Sequence, residues 1–248
     1  MFRTVWLPIS IVFSVLVLQS LAVAEEDKAF PIVEEWSIPA KAGYTTEFMI
    51  ALKEHAIWRR DNGDPWHWEY YSSQTGREDA GVLVRSADHE YGDLDTYTDS
   101  EFSAKAAKHW DEVVAPYAGV GTRYLRFQTP ATYWPDENYT YLLIMPVEAE
   151  RNSLKDLTEA AIVLNGIIRE AGIESAGGLE YTWSGGGHAF QYVEGKKDWA
   201  STSPGSPLAV ETHAAIVEKL GEEETEATYE AAHAYHNSNM RIYKRLEW

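Results

Sequence analysis

Beyond its first two dozen residues the chain runs through one order of elements twice: strand, helix, two strands, helix, strand. That order constrains the fold more than any single motif. Phe30 to Ile38 alternates as a strand and ends at Pro39. Thr45 or Thr46 then caps a helix whose stripe is Phe48, Leu52, His55 and Arg59, with Met49 and Ala56 alongside. Asp61-Asn62-Gly63-Asp64-Pro65 stops it. Trp66 to Ser72 and Ala80 to Ser86 read as a hairpin across the turn Gln74–Asp79. The acidic connection Asp88 to Asp99 follows. Ser100 opens a second helix with the stripe Phe102, Ala106, His109, Trp110, Val113 and Tyr117, closed by Gly119 and Gly121. Thr122 to Thr129 is the fourth strand.

The second pass is Tyr139 to Val147 (strand), Leu154 to Ala171 (helix), Leu179 to Trp183 and Ala189 to Val193 (strands), Leu208 to Leu220 (helix) and Met240 to Leu246 (strand). An extra acidic helical segment, Glu222 to His236, precedes the closing strand. The domain boundaries that follow are 1–24 for a leader, 25–129 and 139–248 for two units, and 130–138 for a linker with two prolines. The repeat is one of element order, since direct identity between the halves is weak.

A βαββαβ unit makes a four-stranded antiparallel sheet with both helices on one face. The bare face must be buried, and two such sheets in one chain can cover each other. The expected fold is α+β: two tandem ferredoxin-like βαββαβ units, sheets face to face and helices outside. This is an intramolecular pseudo-dimer that needs no partner subunit.

The leader has Arg3 as its only early charge, an apolar run through Leu18, and Ala22-Val23-Ala24 before Glu25-Glu26-Asp27. That is the order of a secretory signal, which implies export to the periplasm or beyond. An uncleaved anchor is the alternative, because the run approaches bilayer-spanning length. After cleavage no stable membrane association is expected. With no cysteine in 248 residues, thiolate nucleophiles, Cys-held metals and disulfides are excluded. A net charge of −18 disfavours nucleic acid as a partner and reads as a solvated acidic surface.

The element order, Trp36 in the first strand, the run Trp66-His67-Trp68 and the connection Asp93-Leu94-Asp95 together resemble the dimeric α+β barrel superfamily. That group includes antibiotic-biosynthesis-type monooxygenases, haem-degrading monooxygenases and NIPSNAP-like proteins. The resemblance spans roughly residues 30–248. It implies a small aromatic ligand or haem between sheet and helices. The chemistries of the group vary widely, so the cofactor stays unknown and fold carries little about function.

The first half is rich in groups that could line such a cavity. His55 is the candidate base or ligand, with Trp58, Arg59, Trp66, Trp68, Arg85 and His109 as ligand-binding candidates. The competing reading of His55 and His109 is a satisfied structural histidine. Strand alternation sets His67 opposite Trp66 and Trp68, so the three are not expected to line one cavity. Arg85 is either a carboxylate clamp or one side of an internal ion pair. Glu230, His233 and His236 have a ligand-like spacing, but carboxylate-bridged centres need a second such motif, so no metal site is expected. Trp183-Ser-Gly-Gly-Gly-His188 precedes a strand and reads as a hairpin turn, not a phosphate loop. Asn138-Tyr139-Thr140 fits a glycosylation sequon. No nucleophile elbow, His-Glu-x-x-His or dinucleotide fingerprint occurs, which argues against serine hydrolases, zincins and nucleotide-dependent redox enzymes. The leading expectation is an exported protein that binds a small, partly apolar ligand in a sheet–helix cavity. A cofactor-free or haem-linked monooxygenase and a non-catalytic structural module are the alternatives.

Overall fold

In the computed structural model, which describes residues 30–75, 81–134, 139–147, 154–185, 189–233 and 240–248, the alternating stretches become eight strands. They are β1 (Ile32–Ile38), β2 (Glu69–Ser73), β3 (Val82–His89), β4 (Thr122–Gln128), β5 (Tyr141–Val147), β6 (Ala176–Ser184), β7 (Phe190–Lys196) and β8 (Arg241–Arg245). The helices are α1 (Thr45–Asp61), α2 (Asp93–Thr98), α3 (Glu101–Val113), α4 (Leu154–Glu170), α5 (Pro207–Leu220) and α6 (Glu222–His233). Within the first half the strands lie in the order β4-β1-β3-β2, and within the second in the order β8-β5-β7-β6. Every pairing is antiparallel.

The two sheets do more than face each other. β2 pairs with β8 (Tyr71 opposite Arg245) and β4 pairs with β6 (Phe127 opposite Tyr181), so the eight strands form one closed barrel. Closure removes all four sheet edges, whose unpaired N–H and C=O groups would otherwise face water.

Side-chain alternation divides the apolar residues among three cores. Ile38, Tyr70, Val82 and Val84 point out to Phe48 and Leu52 of α1. Val147, Leu179 and Phe190 point out to Leu157 and Ala161 of α4. Tyr71, Leu83, Leu142, Ile144 and Val193, drawn from both halves, fill part of the barrel interior. Burying a side chain such as Phe48 or Leu52 contributes ~1.5–3 kcal/mol. The face of α1 is therefore fixed by the phase of its apolar stripe.

Several local expectations need correction. α1 begins at Thr45, with Tyr44 at the cap position and no side-chain cap, so neither Thr45 nor Thr46 is the cap. Ser100 does cap α3: its Oγ accepts from the Ser103 N–H at 3.0 Å. The connection Asp88–Asp99 contains the short helix α2. Trp66, His67 and Trp68 precede β2, so strand alternation does not govern them. The Trp66 and Trp68 rings lie 5.8 Å apart, and His67 is exposed. The leader, most of the Gln74–Asp79 turn, Asn138, His188, His236 and the His233 side chain lie outside the described residues.

Candidate active site

α1 and α3 lie side by side over the outer face of β1, β3 and β2. The stripe of α1 brings His55 to the seam between the helices, and His109 meets it from α3. Their Nδ1 atoms are 3.0 Å apart. One neutral ring must donate and the other accept, so a single proton lies between them. Trp58 stacks on His109 with centroids 4.5 Å apart, and Phe102 stacks on Trp58 at 5.9 Å. Trp110 meets the His55 ring edge-on at 5.5 Å. His55 is 2% exposed. Burial, then the positive charge of Arg59, then His109 push its pKa down to about 3, so the ring is neutral at physiological pH. Its Nε2 makes no hydrogen bond to a described residue.

The turn after α1 positions Arg59. Gly63 at φ +76° reverses the chain, a conformation costly for any residue with a Cβ. This brings Asp64 back to Arg59, with Nε to Oδ2 at 2.5 Å. Asp64 Oδ1 also accepts the backbone N–H of Trp66 at 3.0 Å. The Arg59 guanidinium lies 4.7 Å from the centre of the Trp68 ring and donates to the Tyr97 hydroxyl. Burial, partly offset by Arg59, raises the Tyr97 phenol to about 12, so it stays protonated. The Trp68 indole N–H is buried without a hydrogen bond of good geometry, although Tyr97 is close enough to interact with it. A buried donor left in this state costs ~1–3 kcal/mol relative to a satisfied one.

Between these helices and the sheet is a cavity of about 470 Å³, lined by Trp36, Leu52, His55, Arg59, Trp68 and Trp110 among others. Glu34 and Arg123 pair at its edge with Nε to Oε1 at 3.0 Å, and Glu34 also accepts from the Trp36 indole at 2.7 Å. The walls are mostly apolar, with three tryptophans among them. Among the polar groups on its lining, Arg59 and Arg123 are held by Asp64 and Glu34, while the neutral His55 imidazole and the Trp68 indole N–H, with Tyr97 beside it, keep hydrogen-bonding capacity for a ligand.

Of the sequence candidates, His55, Arg59 and Trp68 line this cavity. Trp58 and His109 stand behind His55 and do not. Trp66 stacks on His89 at 3.8 Å and on Tyr97 at 4.1 Å. It faces a larger cleft of about 860 Å³, which His55 does not line; His67 and Trp68 line that cleft with it, so the three do share one cavity, because they precede the strand and its alternation does not separate them.

Arg85 points the other way, into the barrel. It pairs with Glu35 and, at 2.6 Å, with Glu180. Arg126 holds the other Glu35 oxygen at 2.9 Å, and the Gln191 amide donates to Glu180 at 2.8 Å and to Glu35 at 3.2 Å. The reason is alternation: Val84 faces α1, so its neighbour Arg85 faces inward. Burial opposes ionisation of Glu35, but Arg126 and Arg85 outweigh it and hold the carboxyl at about 2. Sequence reasoning missed Glu35, Arg126, Glu180 and Gln191, because charged residues alternating with apolar ones read as a wet sheet face. Among the described residues, no group of three or more acidic or histidine side chains is placed to hold a metal ion, and no helix is long and apolar enough to cross a membrane.

No family model matches the chain, and no curated protein matches it in sequence. Solved structures match it in fold. A candidate monooxygenase from Lactobacillus acidophilus NCFM superposes with TM-score 0.54 at 11% identity, over 88% of this chain and 94% of its own. A candidate monooxygenase from Fusobacterium nucleatum gives 0.54 at 10%, over 89% and 94%. A candidate chlorite dismutase gives 0.50 at 13%, over 89% and 96%. At such identities the likeness shows architecture: the chain has the dimeric α+β barrel fold, with all eight strands supplied by one polypeptide.

Proposed function

We propose that this is an exported protein that binds a small, partly apolar ring compound carrying an oxygen acceptor, in the cavity between α1, α3 and the first-half sheet. The observation that carries this reading is a mostly apolar cavity of about 470 Å³ holding two polar groups with spare capacity, the Nε2 of His55 and the indole N–H of Trp68. Binding pockets are mostly apolar with a few converging polar groups. An oxygen acceptor on the ligand satisfies the Trp68 donor, and the tryptophan rings supply stacking area.

Fluorescence of the cavity tryptophans tests it. Titration with a panel of phenols, quinols and anthrones is expected to give saturable quenching for at least one compound. Ala106→Trp, which fills the cavity from α3, is expected to abolish it. Saturable binding that survives Ala106→Trp refutes the assignment. Export is tested separately by mass analysis of the protein secreted from a host cell, with Glu25 expected as the first residue.

Monooxygenase chemistry on such a ligand is a second reading, favoured by two structural neighbours whose names carry that activity. The donor set fits haem only in part. His55 offers a ring nitrogen, but Arg59 and Arg123, the cations available for two propionates, already pair with Asp64 and Glu34.

A further inference from the structure

We propose that His55 and His109 form a two-ring relay that carries a proton from a weakly acidic hydroxyl of the bound ligand to solvent. The inference rests on the ligand-binding reading above. It narrows the ligand class to phenols and enols, and it gives His109 a task although that ring does not line the cavity.

The geometry starts from the Nδ1–Nδ1 contact of 3.0 Å. With Nδ1 of His55 turned to His109, Nε2 is the nitrogen left to the cavity. His55 on its own is a poor base. An imidazolium there would be buried and would face Arg59. His109 is half-buried on α3, with Trp58 stacked on one side. The pair removes the difficulty, because a proton that arrives at one nitrogen of His55 can leave from the other.

The step balances as follows. Before transfer, His55 carries its proton on Nδ1 and donates it to Nδ1 of His109, whose own proton is on Nε2. The ligand O–H proton passes to Nε2 of His55. The Nδ1 proton of His55 passes to Nδ1 of His109. The Nε2 proton of His109 passes to water. Afterwards both rings are neutral again with tautomers exchanged and the hydrogen bond between them reversed. The ligand oxyanion now accepts from the new Nε2–H of His55 and from the Trp68 indole, two donors already in place before the charge develops. No net charge rests on the buried ring at either end of the step.

The same state can return a proton. An Nε2–H on His55 is a general acid toward an oxyanion product, which resets both tautomers. His109 is thus a positioning and proton-exchange residue that acts through His55.

The test uses 4-nitrophenol, whose anion absorbs in the visible, and 4-nitroanisole, which has no acidic proton. The wild-type chain is expected to bind both, to hold 4-nitrophenol as the anion at a pH where the free compound is mostly neutral, and to release one proton per site to an indicator dye. In nitrogen-15 NMR the tautomers of both rings are expected to exchange on adding 4-nitrophenol and to stay unchanged with 4-nitroanisole. His109→Gln keeps a hydrogen-bond partner for Nδ1 but has no proton to pass on. It is expected to lose the anion band and the proton release, and a purely structural role for His109 predicts that it keeps both. If wild type binds both compounds with nitrophenol neutral, or the tautomers do not exchange, the relay is refuted and the cavity assignment stands. If neither compound binds, both readings fail together.

Discussion

Arg85 at the centre of the barrel gives the sharpest energetic prediction. Its guanidinium is nearly sealed from water, between Glu35 on β1 and Glu180 on β6, whose side chains are 4% and 1% exposed. Arg85→Met keeps much of the volume and removes the charge. Glu35 retains Arg126, but Glu180 is left with the Gln191 amide as its hydrogen-bond donor. Stranding one partner of a buried ion pair costs ~3–5 kcal/mol. The intact network gives an independent scale: holding the Glu35 carboxyl at about 2 against 4.5 when unfolded corresponds to roughly 3 kcal/mol. By the sign of that shift, the stabilisation is complete above pH 4.5 and is lost as pH falls toward 2. At pH 7, urea unfolding followed by tryptophan fluorescence is expected to show Arg85→Met less stable by about 4 kcal/mol, a drop of about 10 °C in Tm. Adding Glu180→Gln should recover more than half of the loss at pH 7. A loss below about 1 kcal/mol at pH 7, or no recovery on adding Glu180→Gln, refutes the closed network.

Three further outcomes follow from named contacts. Because the folded-state pKa of His55 is pushed down to about 3, its unfolded form binds a proton first. Stability should therefore fall by up to roughly 1.4 kcal/mol per pH unit as pH drops from 6.5 toward 3. His55→Phe should flatten that part of the curve in urea melts, and parallel curves would contradict the buried neutral ring. Ser100→Ala removes the α3 cap and should cost about 1 kcal/mol in the same assay; no change would mean the cap bond is not formed. Gly81→Ala would set a Cβ 1.9 Å from the Ile38 carbonyl oxygen and should cost more than about 2 kcal/mol, so a variant as stable as wild type would contradict the β1–β3 approach.

Periodicity in the sequence determined the element order, the α+β class and the outward placement of the helices. Local spacing dictates these: Phe48, Leu52 and His55 share a helix face whatever that face packs against. Ser100 was legible as the start of a helix for the same reason, and the structure makes it the cap. The limits of β2 were not, because the aromatic run Trp66-His67-Trp68 has strand propensity while the Asp64 carboxylate and Arg59 hold it in the turn.

Only the tertiary structure decided how the sheets close and which residues meet. The pairings β2–β8 and β4–β6 join strands from opposite halves, and no local pattern records an edge partner so distant in the chain. The histidines of the candidate site are 54 residues apart, and Arg85 is 95 residues from Glu180. Closure also set the meaning of the inward charges. Glu35, Arg126 and Glu180 alternate along their strands like residues of a wetted sheet, and they become an ion-pair core only because a second sheet arrives to exclude the water. Sequence spacing tells a side chain which face it is on; the solvent and charge on that face come from what the rest of the chain brings there.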